Sequence, residues 1–356
     1  MTKEKNNREI KINHSYETPP VCRSVNAVTF KPQAKQAQFL SCTADVAIFG
    51  GSAGGGKSWS LLYEPLIHRE NPNFGAVIFR RTYPQIFLEG GLWDGSEELY
   101  PYAGAVGSKG KGGWTFPSGA RVNFCTMENE QDRFKYDGAQ IPLICFDQLE
   151  HFTKKMFFYM LSRNRSTCGV KPYVRASCNP QPGWLAEFIQ WYWDPATGYA
   201  IPERSGVMRW FTTVGDSIKW ADSKAELMRK FPGTMPLSFT FIFSKLDDNK
   251  ILMDKDPSYL HKLMALPLVE RERLLGGNWK VTVAGNVFKR EWWKIVEVAP
   301  SPVVKSVRYW DKAATQQEGS NDPDWTAGAL VHRLKNGQVL IGHMNRFRGT
   351  PLANET

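Results

Sequence analysis

A chain of 356 residues, 42% of them hydrophobic, exceeds the usual size of one core and can bury a sizeable interior, which favours two domains. No run approaches the roughly 18 apolar residues that span a bilayer, so a soluble chain with no membrane role is expected. The formal net charge of +10 suits a polyanionic partner, because summed basic charge attracts nucleic acid without reading its sequence, but it fits an ordinary basic surface equally well.

The six cysteines (Cys22, Cys42, Cys125, Cys145, Cys168 and Cys178) show neither a CxxC pair nor zinc-ligand spacing, and no signal peptide stands ahead of them. They read as reduced thiols of a cytosolic protein. In chain order, residues 1–24 are polar and charged, with Pro19-Pro20, and predict a flexible or loosely docked arm. Strand candidates follow at Val46 to Phe49, Ala76 to Phe79, Val122 to Thr126, Leu143 to Phe146, Tyr173 to Ser177 and Ser238 to Phe243. Their alternation with helical stretches predicts an α/β fold with a mainly parallel sheet. Gly113 to Cys125 reads as a hairpin turned by Pro117-Ser118-Gly119. From Asp256 to Trp279 the apolar spacing predicts helix, stopped by Gly276-Gly277. A linker is expected over 285–303, then a strand at Val307 to Asp311 and a hairpin of Ala327 to His332 with Val339 to His343 through Lys335-Asn336-Gly337.

Gly51, Ser52, Ala53, Gly54, Gly55, Gly56, Lys57 and Ser58 complete the pattern GxxxxGK[ST] between a strand-like and a helix-like run, as a phosphate-cradling loop requires. Glycines let the backbone turn tightly and aim consecutive amides at phosphate oxygens, and the helix N-terminus adds positive potential. Binding of ATP is the expectation. Lys57 would reach the β- and γ-phosphates, and Ser58 would offer its hydroxyl to Mg²⁺. Such a loop needs an acid at the end of a neighbouring apolar strand, and Leu143-Ile144-Cys145-Phe146-Asp147 supplies it. A carboxylate that prepares the attacking water is wanted next to it. The adjacent residue is Gln148, which leaves Glu150 as the nearest candidate.

The segments PQAKQAQFL (Pro32 to Leu40), GGSAGGGKS, FRRTYPQI (Phe79 to Ile86), FKYDGAQIPLICFDQLEHFT (Phe134 to Thr153), SCNPQPGW (Ser177 to Trp184), FIFSKLDDN (Phe241 to Asn249), LLGGNW (Leu274 to Trp279) and RYWDKAAT (Arg308 to Thr315), in this order, resemble the large terminase subunit of tailed bacteriophages over residues 26–350. The resemblance implies a P-loop NTPase domain over 25–284 that pumps viral double-stranded DNA into a procapsid, followed by a ribonuclease-H-like nuclease over 304–356. It implies a portal protein and a small terminase subunit as partners. It also implies a homo-oligomeric ring on the procapsid and a place in the cytoplasm of a bacterial host. Gln36 matches the adenine-contacting glutamine, and Ser177, Cys178 and Asn179 match the motif that senses the γ-phosphate and passes its loss to DNA-gripping elements. A stimulating arginine is sought among Arg80, Arg81, Arg133 and Lys135, but Asp137 stands before Gly138 where related chains place that group, so its identity stays open.

Asp311 matches the first metal-binding acid of the nuclease, with Asp322 and Asp324 in the loop that follows. Two-metal cleavage needs several converging carboxylates, and the sequence ends at Thr356 before the acids that family members draw from later elements. The nuclease part is therefore expected to be incomplete and inactive. The alternatives are a non-catalytic prophage remnant or assembly factor that keeps nucleotide and DNA binding, and a helicase-like ATPase.

Overall fold

The computed structural model describes residues 10–12, 28–281, 293–312 and 325–347. The chain divides into two compact units, Met1–Val283 and Ala284–Thr356. In the first, β1 (Ile10–Ile12) pairs antiparallel with β2 (Val28–Phe30), and the rest of the expected arm lies outside the described residues. Helix α1 (Ala34–Leu40) leads to β3 (Val46–Gly51), α2 (Lys57–Tyr63), β4 (Gly75–Arg80), α3 (Pro84–Phe87) and α4 (Leu92–Glu97). Then come β5 (Val106–Ser108), β6 (Gly113–Thr115), β7 (Arg121–Thr126), β8 (Leu143–Phe146), α5 (Lys154–Leu161), β9 (Tyr173–Cys178) and α6 (Trp184–Phe188). The unit is completed by β10 (Arg209–Val214), β11 (Ser217–Ala221), α7 (Lys224–Lys230), β12 (Leu237–Ser244), α8 (Lys250–Lys255), α9 (Tyr259–Met264) and α10 (Leu268–Leu274).

Ten strands form one sheet in the order β11-β10-β12-β3-β9-β8-β4-β7-β6-β5. The six from β12 to β7 are parallel, and an antiparallel hairpin flanks them on each side. The apolar runs that predicted strands are explained by burial on both faces: every residue of β3, β8 and β9 is buried. One core packs Phe39, Leu61, Leu62 and Trp93 on the sheet, and a second packs Phe152, Met156, Phe157 and Phe188. The one charge inside β9, Arg175, is balanced by buried Glu64 at 3.2 Å and by the carbonyls of Cys42, Ala44 and Val174.

The hairpin of β6 and β7 was expected, whereas β10 and β11 were not. The predicted helix over Asp256 to Trp279 is two short helices, α9 and α10. Pro267 separates them, because its ring disfavours helical backbone at the residue before it and it brings no N–H. The stop at Gly276-Gly277 holds, but Trp279 lies beyond the helix. Its fully buried ring meets Phe241 edge-on, and its backbone N–H donates to Gly198 O at 2.7 Å.

The second unit is an antiparallel sheet of β13 (Val303–Asp311), β14 (Thr326–Leu334) and β15 (Val339–Phe347), with β14 in the middle. The β14–β15 hairpin turns at Lys335-Asn336-Gly337 as its sequence predicts. Cys42, Cys125, Cys145, Cys168 and Cys178 are free thiols, and Cys22 lies outside the described residues. Among the described residues no helix is long and apolar enough to cross a membrane.

Candidate nucleotide site

The parallel strands β3, β9, β8 and β4 end side by side, and their C-terminal ends deliver the site. The loop of Gly51 to Gly56 leaves β3 and turns into α2. Gly56 has φ +73°, a left-handed conformation that suits glycine, and a Cβ on Gly51 would lie 2.2 Å from Ser244 O. The loop is braced from outside: Ser52 N donates to Ser244 O at 3.0 Å, Ala53 N to Leu274 O at 2.6 Å, and Ser52 Oγ to Leu275 O at 2.8 Å. Gly55 lies where Ser244 Oγ would be 2.4 Å from a Cβ, and the carbonyl of Gly54 accepts from Asn249 Nδ2 at 2.6 Å.

Lys57, 8% exposed, folds back so that Nζ donates to Ser52 O at 2.5 Å and Gly51 O at 3.3 Å. Burial pulls its pKa below the ordinary lysine value against the influence of Cys178, Glu150 and Asp147. Ser58 Oγ donates to Asp147 Oδ1 at 2.8 Å, and Ser177 Oγ donates to the same oxygen at 2.5 Å. Asp147 is fully buried. Its Oδ2 lies 2.9 Å from Arg80 Nε, close enough for an ion pair, although the N–H is not aimed along that line and neither atom has a directional hydrogen bond.

After Asp147 the chain reverses sharply. Gln148 sits at φ +60°, the sole non-glycine residue with positive φ among those described, a conformation that costs about 1–3 kcal/mol. The turn Leu149–His151 that follows buries Leu149 and carries Glu150 back over the loop. Glu150 Oε1 accepts from Asn179 Nδ2 at 3.2 Å, while Oε2 is enclosed without a hydrogen-bond partner. Burial pushes the Glu150 carboxyl up to about 7, despite hydrogen bonds and the Lys57 charge that act downward. Burial and the charges of Arg80, Arg81 and Arg273 hold His151 below its ordinary value, against Asp147.

Lys57, Ser58, Asp147, Glu150, Ser177 and Asn179 are thus brought together from three segments, the start of α2, the end of β8 with its turn, and the end of β9. Gln36 is buried beside them, with Nε2 on Gly56 O at 3.2 Å and Oε1 accepting from Gln33 N at 2.8 Å. Of the basic candidates, Arg80 alone reaches the acids. Arg81 donates to Met127 O at 2.9 Å, Arg133 lies over the Phe134 ring and pairs with Glu130, and Lys135 pairs with Asp132 at 2.8 Å. Asp311 is an exposed residue at the end of β13, opposite Ala327, and Asp322 and Asp324 lie outside the described residues. Sequence reasoning gave no role to Asn249 or to the carbonyls of Leu274 and Leu275, although two of the quoted segments, FIFSKLDDN and LLGGNW, contain them.

Solved structures similar to the chain include the large terminase of a thermophilic bacteriophage in complex with ADP, at 12% identity over 89% of this chain and 68% of that one, with a TM-score of 0.46. The ATPase domain of the Thermus phage P74-26 large terminase matches at 14% identity over 70% and 94%, TM-score 0.44. The HK97 bacteriophage large terminase matches at 13% over 90% and 64%, TM-score 0.42. No curated protein matches the chain. Residues 48–295, more than half of the sequence and including Lys57, Ser58, Asp147, Glu150 and Asn179, match the terminase large subunit family, T4likevirus-type, in its N-terminal part, and the chain belongs to that family.

Proposed function

We propose that this chain hydrolyses ATP to drive packaging of double-stranded DNA into a viral procapsid. One observation carries the reading: a complete phosphate loop whose Ser58 is hydrogen-bonded to a fully buried Asp147, with Glu150 facing the same space. Mg²⁺ takes oxygen ligands, keeps several waters and needs one or two carboxylates plus phosphate oxygens. Ser58 Oγ and Asp147 Oδ1, 2.8 Å apart, fit that demand, and among the described residues no three His, Cys, Asp or Glu side chains gather into a fuller protein cage. Ser58 and Asp147 would hold the ion, which when bound neutralises charge on the phosphates.

Lys57 would leave the carbonyls of Gly51 and Ser52 for the β- and γ-phosphate oxygens, which replace two neutral acceptors by charged ones. Glu150 would take the proton of the attacking water. Asn179 holds that carboxylate and Ser177 holds Asp147, so the end of β9 touches both acids and is placed to respond when the γ-phosphate leaves. Gln36 would turn from Gly56 to adenine. The domain limits follow the same reading: an ATPase over 25–284, a linker over 285–303 and a ribonuclease-H-like part from 304, with Asp311 as a metal-binding acid. A portal protein, a small terminase subunit and further copies of this chain in a ring are the proposed partners, in the cytoplasm of a bacterial host and at the procapsid portal.

The test is ATP turnover by the purified chain with and without duplex DNA. Stimulation by DNA is expected, and nucleotide binding without turnover would leave only the assembly-factor alternative. Turnover should also depend on pH with a definite sign. Glu150 is raised to about 7, so below that value it is protonated and cannot accept a proton. The ratio kcat/KM should rise through the neutral range and level off above it; a flat profile there would remove Glu150 as base. DNA affinity should fall steeply with salt and vary little among duplex sequences, since a chain with net charge +10 would hold DNA through phosphates. A shallow salt slope with strong sequence preference would contradict this.

A further inference from the structure

We propose that Arg80 is a positioning residue for Glu150 and acts through the side chain of Gln148. The proposal rests on Glu150 as the water-preparing base and names what holds it in place. Strands β4 and β8 run parallel with Phe79 opposite Phe146, and the ladder extends one step further through Asp147 N to Phe79 O at 2.9 Å. It then stops. Gln148 turns its N–H away from β4 to Ser177 Oγ on β9, at 2.9 Å, and its backbone enters the left-handed region at φ +60° and ψ +64°.

Glutamine does not choose that conformation unaided, so neighbouring groups must hold it. The backbone is held by Ser177, and the side-chain carbonyl Oε1 accepts a hydrogen bond from Arg80 Nη1. The same guanidinium places Nε beside Asp147 Oδ2. One rigid planar group therefore hydrogen-bonds Gln148 and sets its charge beside the preceding Asp147, a pairing of geometry and charge that a lysine cannot reproduce. The reversal at Gln148 sets the direction of the turn Leu149–His151, closed by His151 N on Gln148 O at 3.0 Å. A residue at 148 with ordinary extended backbone would continue along β8 and carry Glu150 away from Asn179. The position next to the buried aspartate is thus used here as an anchor, and the carboxylate is supplied two residues later.

The experiment measures kcat and KM for ATP in the full chain with duplex DNA, together with the melting temperature. Gln148→Leu keeps the bulk and loses the acceptor, and Arg80→Lys keeps a positive charge for Asp147 and loses the fork. Each is expected to lower kcat about 10- to 100-fold, as small misplacement of a reacting group does, with KM within about twofold of wild type because the phosphate loop is untouched. The double variant should be no worse than the poorer single variant, because both changes break one link. Gln148→Glu, which keeps a side-chain oxygen for Arg80, should recover most of the loss. Losses that multiply in the double variant, a fall confined to melting temperature, or single variants that turn over like wild type would each overturn the proposal. Glu150→Gln, measured alongside, separates the two readings. If it retains turnover, the assignment of Glu150 fails, and if it alone abolishes turnover, only the role of Arg80 and Gln148 fails. A wild-type chain without ATP turnover overturns both.

Discussion

Replacing Lys57 with alanine is expected to lower ATP turnover by about 10²–10³-fold or more, the range found when one donor to developing charge is removed. The ammonium is buried at the turn of the loop, where it donates to the carbonyls of Gly51 and Ser52, and alanine leaves no charge at that point. The same change should not destabilise the fold. The pKa of Lys57 lies below its ordinary value, so the folded chain disfavours its charge, and removing that charge relieves a desolvation cost. Melting temperature is therefore expected to hold or rise while turnover collapses. Wild-type turnover in Lys57→Ala would sink the phosphate-loop mechanism, and a large drop in melting temperature would show that the side chain serves the fold.

The second large effect is expected from Glu150→Gln. Glutamine keeps the size and the acceptor that Asn179 uses, but it cannot take a proton from water. Turnover should fall about 10²–10⁴-fold, as for loss of a general base, while a fluorescent ATP analogue still binds. Gln148→Ala should lose less, about 10- to 100-fold, because residue 148 guides the turn and does not meet the reacting water. No loss in Glu150→Gln, or a larger loss in Gln148→Ala than in Glu150→Gln, would exclude Glu150 from the chemistry.

The parallel centre of the sheet was legible because burial on both faces forces short apolar runs, and β3 and β8 are written that way, while β9 keeps the pattern around one buried Arg175. The hairpin of β10 and β11 was not. At the sheet edge its strands carry Thr212, Thr213, Lys219 and Trp220 in a half-buried pattern that does not separate from loop. The helical reading across 256–279 fails at Pro267, in the middle of the span, because the apolar spacing runs on across a residue that cannot continue a helix. Within the site, the phosphate loop and Asp147 were marked by local pattern. Arg80 remained one of four basic candidates, since its partner Gln148 is 68 positions away and only the parallel pairing of β4 with β8 brings the two together.

The hold of Leu274 and Leu275 on the loop bears on where a minimal nucleotide-binding fragment can be cut. The sheet is complete at Ser244, and a boundary drawn there would look natural from strand order alone. Such a fragment would keep every residue of the GSAGGGKS pattern yet lose the carbonyls that fix Ala53 N and Ser52 Oγ, the second of which lies 223 positions along the chain, and it would lose Asn249 from Gly54 as well. Its loop would be left with free donors and acceptors at the residues that shape it. Protease digestion should accordingly yield a stable core that extends past Trp279, whose buried indole closes this last segment against Phe241.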